Sequence, residues 1–573
     1  MRLISFKLTG LFLSLAITPI VMSACGKTPV EPQPEPEKPV VEVVMGGSFD
    51  STWNRYSEGT QHPGQQSEAK VSKCWSDTLW QGDRAHKQLI LWAKGKAVKN
   101  IKVNVSDLKG QSMNVSASNI TVRYSTYVVG DDRTCSCGGA VDRKSVSIAD
   151  ALSETPVSGF TSSEPLKLWI TVNVPDNTVP GKYEGKIEIA RGNDVLDTFT
   201  LSFLVVNHKL PAVADWKYHL DIWQFPFQLV SLCKKGGNAV EPFSDDYYKL
   251  EKPFYSMLAD AGQRSITTYI KDGAFNGGQT MVDWRRKANG DWEFDYTKFD
   301  SFVSFMMGLG IDAQINCFSP AGWNDTVRYL DLSDNQTKKL SLTIGDGAYN
   351  EVWNCFLDSF KEHLTAKGWF DKAVLYLDEV PEFQLQAIVD MVKKHDPSWK
   401  IGVAGNWYSY DLTTKLFEHS PIISCTDKSG AQRVTFYTSC SQTYPNNYVT
   451  SDNSPVELIY MSWYALANGY DGYLRWAYDY WTNPDPMNAQ DGSNAAGDFH
   501  FIYRSSNDFS TCVPLSSARF ELLREGIQDY EKALILGKDK FTGVFGYFRY
   551  NTKPDSRKAV NKAETMLKKY SAE

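Results

Sequence analysis

The sequence predicts a multidomain protein: an N-terminal β-sandwich over residues 43–210, then a (β/α)8 TIM-like barrel with a C-terminal helical extension over residues 211–573. Three observations predict it. The chain has 573 residues, 42% of them apolar, which at about 150 residues per domain is enough for several cores. Short strand-like segments separated by Asp/Asn/Gly/Pro turns fill the region from Val43 to Lys209, with almost no helical period. Beyond Leu210–Asp215 the texture changes, and apolar strand candidates alternate with amphipathic helices. That alternation indicates a parallel α/β architecture, and about eight strand candidates favour a closed barrel over an open sheet.

The elements follow in chain order. Arg2 and Lys7 precede an apolar run from Leu8 to Met22, which ends in Met22-Ser23-Ala24-Cys25. Small residues before a Cys resemble a bacterial lipobox, in which residues 1–24 are a signal peptide and Cys25 is lipidated; an ordinary secretory signal cut nearby is the alternative. Residues 25–42 carry Pro29, Pro32, Pro34, Pro36 and Pro39 among glutamates, the composition of an extended tether. The expected location is therefore that of an exported lipoprotein anchored through Cys25, on the periplasmic or the cell-surface face. The sandwich strands are read at Lys87–Lys94, Ile101–Val105, Ile120–Val128, Leu166–Val174, Tyr183–Ala190 and Phe199–Asn207. Barrel strands are read at Tyr218–Phe225, Ser265–Ile270, Asp312–Phe318, Ala373–Leu377, Lys400–Ala404, Ile422–Thr426, Val456–Ser462 and Gly472–Trp476. Helices are read at Tyr247–Ala261, Phe299–Leu309, Tyr349–Lys367, Leu385–Lys394, Ser516–Leu536 and Asp555–Tyr570, the last with Asp555 as N-cap.

Composition narrows the function. A net charge of −7 without a basic patch argues against nucleic acid as the partner. The chain has no paired CxxC motifs and no HExxH, so neither a metal nor another cofactor is expected. Among the 10 cysteines, Cys135 and Cys137 are too close for an easy mutual disulfide, and Cys317, Cys355 and Cys425 read as buried thiols. His219 reads as a core histidine on the first barrel strand. Aromatic residues reach 13%, an excess that suits either large cores or a sugar site built from flat rings.

The strongest chemical candidate is AVLYLDEVP, Ala373–Pro381, where an apolar strand ends in Asp378 and Glu379. Barrel enzymes carry their catalytic groups at such strand ends. Two neighbouring carboxylates do not both ionise easily, and their proton affinities separate. Solvated loop acids, or acids favoured by a helix N-terminus, are the alternative. Consecutive acids do not straddle a glycosidic bond, but they suit substrate-assisted hydrolysis of 2-acetamido sugars. In that chemistry one acid orients the acetamido group and the other protonates the leaving oxygen. Around this pair Trp223, Gln224, Asn316, Tyr376, Arg475, Trp476, Tyr478 and Trp481 lie at or near predicted strand ends, with Tyr437 a weaker candidate. Core packing is the alternative for each ring.

Three segments carry a family resemblance: YLDEVPE (Tyr376–Glu382), GYDGYLRWAYDYW (Gly469–Trp481) and SARFELLREGIQDYE (Ser517–Glu531). Together with a sandwich ahead of a barrel, they resemble glycoside hydrolase family 123. The resemblance implies an exo-acting, retaining β-N-acetylgalactosaminidase that uses substrate assistance. It implies Asp378 as the residue that orients and stabilises the acetamido group, and Glu379 as the general acid/base. The implied partner is a glycan or glycosphingolipid oligosaccharide ending in β-linked GalNAc. A different hexosamine specificity, or a catalytically silent glycan-binding lipoprotein, are the competing readings.

Overall fold

The computed structural model describes residues 44–138, 142–273, 279–322, 326–405 and 407–573. The expected signal peptide (1–24), Cys25 and the tether (25–42) lie outside the described residues, as do Val43 and Asn406. Among the described residues, no helix is long and apolar enough to cross a membrane.

The N-terminal region forms two sheets. One runs in the order Met45–Asp50, Arg84–Ala93, Leu166–Asn173, Ile120–Asp131, Ser145–Ser153, Pro514–Ser517, Tyr503–Arg504. The other centres on Cys74–Gln81, Asp194–Lys209 and Gly181–Arg191, with Ile101–Val105 and Leu108–Gly110 at its edge. Phe49, Leu89, Leu168 and Ile170 of the first meet Trp75, Ile187, Phe199 and Leu201 of the second in one shared core. Along Arg84–Ala93 the period of two sends Leu89 and Leu91 into that core, while Ile90 and Trp92 pack on the other face with Tyr56. Each such side chain contributes about 1.5–3 kcal/mol by burial. The last two strands of the first sheet come from the far end of the chain, and Ser516 and Ser517 pair with Leu152 and Ala151.

The C-terminal region is built on parallel strands. Ser265–Tyr269, Gln314–Phe318, Ala373–Asp378, Lys400–Gly405, Glu418–Pro421 and Arg433–Val434 form one sheet in that order. His219–Ile222, Gly472–Arg475 and Phe436–Tyr437 form a second. Single parallel bridges, Leu220 with Gln263 and Ile422 with Tyr437, link the two sheets. Helices covering these strands bury one stripe each; in Gly347–Ala366 the stripe is Tyr349, Val352, Trp353, Phe356, Leu357, Phe360 and Leu364.

Several expectations are corrected. Val456–Ser462 is not a strand but part of the helix Glu457–Asn468, which ends at Gly469 in the left-handed region with φ 76°. Its residues from Glu457 to Leu466 are all buried, so the sequence shows an apolar run without the helical stripe that would identify it. The strand expected at Ile422–Thr426 lies at Glu418–Pro421, where polar Glu418 and His419 mask it. Ser516–Leu536 divides into the strand Pro514–Ser517 and the helix Ala518–Leu536, with the Ser517 hydroxyl accepting the Phe520 N–H at the cap. Cys355 is exposed on its helix, whereas Cys317 and Cys425 are buried. A four-stranded sheet within residues 283–341, from Asp283–Arg286 to Gln336–Ser341, adds to the strands read from the sequence.

The helix Ala518–Leu536 fastens the two regions together. Arg519 donates through Nε to Asp150 of the first sheet at 2.9 Å and through Nη1 to the carbonyl of His500. Glu521 accepts from Arg84 at 2.8 Å and from Arg123 at 2.5 Å. Burial alone would raise the Glu521 carboxyl, but Arg123, Arg84 and His86 hold it well below the usual range. Lys532 reaches Asp83 at 2.8 Å. The charged pattern of this segment is thus an internal ion-pair seam. Removing one partner of such a pair leaves a buried uncompensated charge, which costs about 3–5 kcal/mol.

Candidate active site

The strand Ala373–Asp378 is buried through Leu377 and runs between Gln314–Phe318 and Lys400–Gly405, with Asp378 opposite Ala404. Its C-terminal end opens into a cavity of about 600 Å³. Asp378 and Glu379 both line that cavity. Glu379 adopts φ 46°, a left-handed conformation uncommon for a residue with a Cβ, and its N–H still donates to the Ala404 carbonyl at 2.7 Å. Strain of this kind, of order 1–3 kcal/mol, persists where the surroundings hold it. Here the chain continues to Pro381, which starts the helix Glu382–His395, and Tyr408 donates to the Val380 carbonyl at 2.7 Å.

Tyr437 donates its hydroxyl to Glu379 Oε1 at 2.6 Å. Burial, and then the charge of Glu379, push the Tyr437 hydroxyl far above its usual range, so it remains a donor. Burial and then Asp378 and Glu379 raise Tyr408 in the same way.

Part of the lining is an aromatic wall. Phe225 packs edge-on to Trp476 (5.9 Å between centroids) and against Tyr480 (4.6 Å), and Phe499 meets Trp476 at 4.8 Å. Trp223 lies edge-on to Tyr376 and Phe318. The wall is fixed through its backbone: the Trp223 main-chain N–H donates to the Arg475 carbonyl, and Asp479 accepts the Phe225 main-chain N–H at 2.8 Å. Polar groups complete the lining, among them Ser439, Ser441, Asn494 and Asp498.

The structure therefore brings Asp378, Glu379, Trp223, Tyr437 and Trp476 to one cavity. It holds the other candidates off its wall. Gln224 is buried and exchanges hydrogen bonds with Thr267, Tyr376 donates to Glu418 at 2.9 Å, and Asn316 donates to Asp221 at 2.9 Å. Tyr478 donates to the Phe254 carbonyl and Trp481 to the Ile502 carbonyl. Arg475 lies behind the wall, donating to Thr438, Asn446 and the carboxylate of Asp498. Lining residues that the sequence did not single out include Phe225, Asn494, Asp498 and Phe499. Most come from the long stretch 476–502, which contains no regular element; a loop longer than about 12–15 residues without structure of its own is itself a functional signal.

Among the described residues, His219, Asp221 and Glu418 form the one group whose ligand atoms, within 4.8 Å of each other, could hold a metal ion. Donors crowd it: Asn316 on Asp221, and Tyr376, Gln314 and Arg433 on Glu418. Burial, then the Glu418 charge, raise Asp221 to about 8, and burial lowers His219 well below its usual range. A neutral carboxyl and neutral imidazole within a hydrogen-bonded network fit this donor set.

Comparisons with known proteins address the same region. Residues 223–536 match the family model described as Glycoside hydrolase 123, catalytic domain, and residues 49–191 match the Glycoside hydrolase 123 N-terminal domain. A solved family 123 glycoside hydrolase from Clostridium perfringens, studied for glycolipid glycan hydrolysis, is similar over 92% of this chain and 97% of its own. Its identity is 22% and its TM-score 0.80. A GH5 xyloglucanase from Bacteroides ovatus covers 79% of this chain and 98% of its own at 10% identity, with a TM-score of only 0.28. No curated protein matches the chain.

Proposed function

Because the chain belongs to glycoside hydrolase family 123 and is therefore an enzyme acting on glycosides, we propose that it is an exo-acting, retaining β-N-acetylgalactosaminidase. The observation that carries this reading is the consecutive pair Asp378 and Glu379 on one cavity with an aromatic wall. Two adjacent carboxylates reach the same side of a glycosidic bond. They therefore favour attack by the sugar's own 2-acetamido oxygen over attack by an enzyme carboxylate.

In the first step the acetamido oxygen bonds to the anomeric carbon as the glycosidic C–O bond breaks. Glu379 gives its proton to the departing oxygen, and Asp378 accepts the acetamido N–H and balances the positive charge of the oxazolinium ring. In the second step Glu379, now a carboxylate, takes a proton from water. The water attacks the anomeric carbon and reopens the ring, and two inversions retain the configuration. Tyr437 holds the Glu379 carboxylate in place. Trp223 and Trp476 supply apolar lining for the sugar.

The bridges from Leu220 to Gln263 and from Ile422 to Tyr437 support reading the parallel strands as a closed (β/α)8 barrel, whose C-terminal rim carries the pair. The galacto configuration and a GalNAc-terminated glycan rest on the family resemblance, and the glycolipid work on the similar Clostridium perfringens protein supports a glycolipid glycan as substrate. The sequence at Cys25 supports a lipid anchor and an exported location.

The test is p-nitrophenol release from the β-GalNAc and β-GlcNAc glycosides by wild type and Glu379→Gln. Turnover of the β-GalNAc glycoside that the variant loses is the expected result. Preference for β-GlcNAc overturns the specificity, and a variant as active as wild type overturns the role of Glu379.

A further inference from the structure

The N-terminal sheets reach the candidate site directly. The connection between their strands Ile120–Asp131 and Ser145–Ser153 carries Cys137, which forms a disulfide with Cys440, 303 residues later. Both cysteines line the cavity that holds Asp378 and Glu379. Cys440 lies three residues after Tyr437, and the Cys137 N–H donates to its carbonyl at 2.9 Å.

The same connection grips a second stretch of the lining. Arg143 donates to the carbonyls of Gly492 and Asn494 and to Asp131, and Gly138 N–H donates to Asn494 Oδ1 at 3.4 Å. Asn494 in turn donates to Asp498 Oδ2 at 2.7 Å, and Asp498 accepts Arg475 through its other oxygen. Asp131 also accepts the Ala496 N–H at 2.7 Å. A chain of contacts thus runs from the first sheet through Asn494 to Asp498 on the cavity wall. The stretch 476–502 has no regular element of its own. It is held by internal bonds such as Thr482 and Asn483 to Asp491, and at residues 492–496 by the contacts from Arg143, Gly138 and Asp131.

We propose that the N-terminal domain is a specificity-determining part of the substrate site. The Cys137–Cys440 disulfide holds the Asn494–Asp498 wall where it binds the hydroxyl groups of the sugar. Cys137 and Cys440 are positioning residues for sugar binding, and the bond-breaking step belongs to the carboxylate pair. The kinetic part of this inference rests on the glycosidase reading.

The test compares wild type, wild type reduced with a phosphine, and the double variant Cys137→Ser/Cys440→Ser. Two readouts are taken: KM and kcat on the p-nitrophenyl β-GalNAc and β-GlcNAc glycosides, and hydrogen exchange of segments 438–442 and 492–499. Loss of the disulfide is expected to raise KM about tenfold or more with kcat changed by less than about threefold, the signature of lost ground-state binding. Both segments are expected to exchange faster, in the reduced wild type as in the variant. Unchanged KM and unchanged exchange, even with a lowered melting temperature, overturn the inference and leave a structural staple. An equal fall in kcat and kcat/KM also overturns it. Wild type that cleaves neither glycoside counts against the glycosidase reading, and exchange at 492–499 then decides this inference alone.

Discussion

Replacing Tyr437 by Phe isolates one contact on the proposed general acid/base. The ring is 4% exposed and lines the cavity, so Phe retains the packing and removes only the hydroxyl. What is lost is a hydrogen bond of 2.6 Å to Glu379 Oε1. A hydrogen bond to a charged group contributes about 1.5–3 kcal/mol net. If the hydroxyl holds Glu379 in its reactive position, the full amount appears in the barrier. At about 1.36 kcal/mol per decade, kcat/KM then falls by roughly 10- to 150-fold. The assay is p-nitrophenol release by wild type and Tyr437→Phe at matched pH, with melting temperature measured on the same samples. A kcat/KM within about threefold of wild type for a folded variant refutes the reasoning. It would mean that the strand end and the Glu379 N–H bond to Ala404 position the carboxylate without help from the phenol.

Two further outcomes follow from buried charge. Arg475→Met leaves the buried Asp498 carboxylate without its guanidinium, and urea unfolding should show a loss of about 3–5 kcal/mol; stability like that of wild type would mean that Asn494 alone satisfies Asp498. Asp479 is raised to about 7 by burial, so between about pH 4 and 7 the folded chain holds a proton that the unfolded chain has released. Its contribution to stability is present below that window, falls as pH rises through it and is level above it. Asp479→Asn should therefore flatten the pH dependence of the urea midpoint relative to wild type, and an unchanged slope would refute the assignment.

Local patterns made much of the architecture legible. The apolar run ending in Asp378-Glu379 marked a strand terminus, because a strand buried on both faces must be apolar until it leaves the sheet. The stripe in Gly347–Ala366 and the Asp555 cap, whose side chain accepts the Lys558 N–H, marked helices for equally local reasons. The helix Glu457–Asn468 escaped that reading because burial on every side removes the periodic contrast. At the candidate site, residue type alone could not divide the aromatics and amides. Trp223 and Gln224 are neighbours, yet one lines the cavity and the other is turned into a buried network with Thr267.

Local sequence suffices to read the strand that ends in two acids, the aromatic supply near it and the sheet-rich region ahead of it, because each depends on residues within a few positions of one another. Tertiary packing selects which rings line the cavity with the acids, brings Tyr437 to Glu379, and joins Cys137, between two strands of the first sheet, to Cys440 on the cavity wall. Those contacts join segments tens to hundreds of residues apart. No local propensity encodes them, and they exist only once two cores have packed and fixed the loops between them.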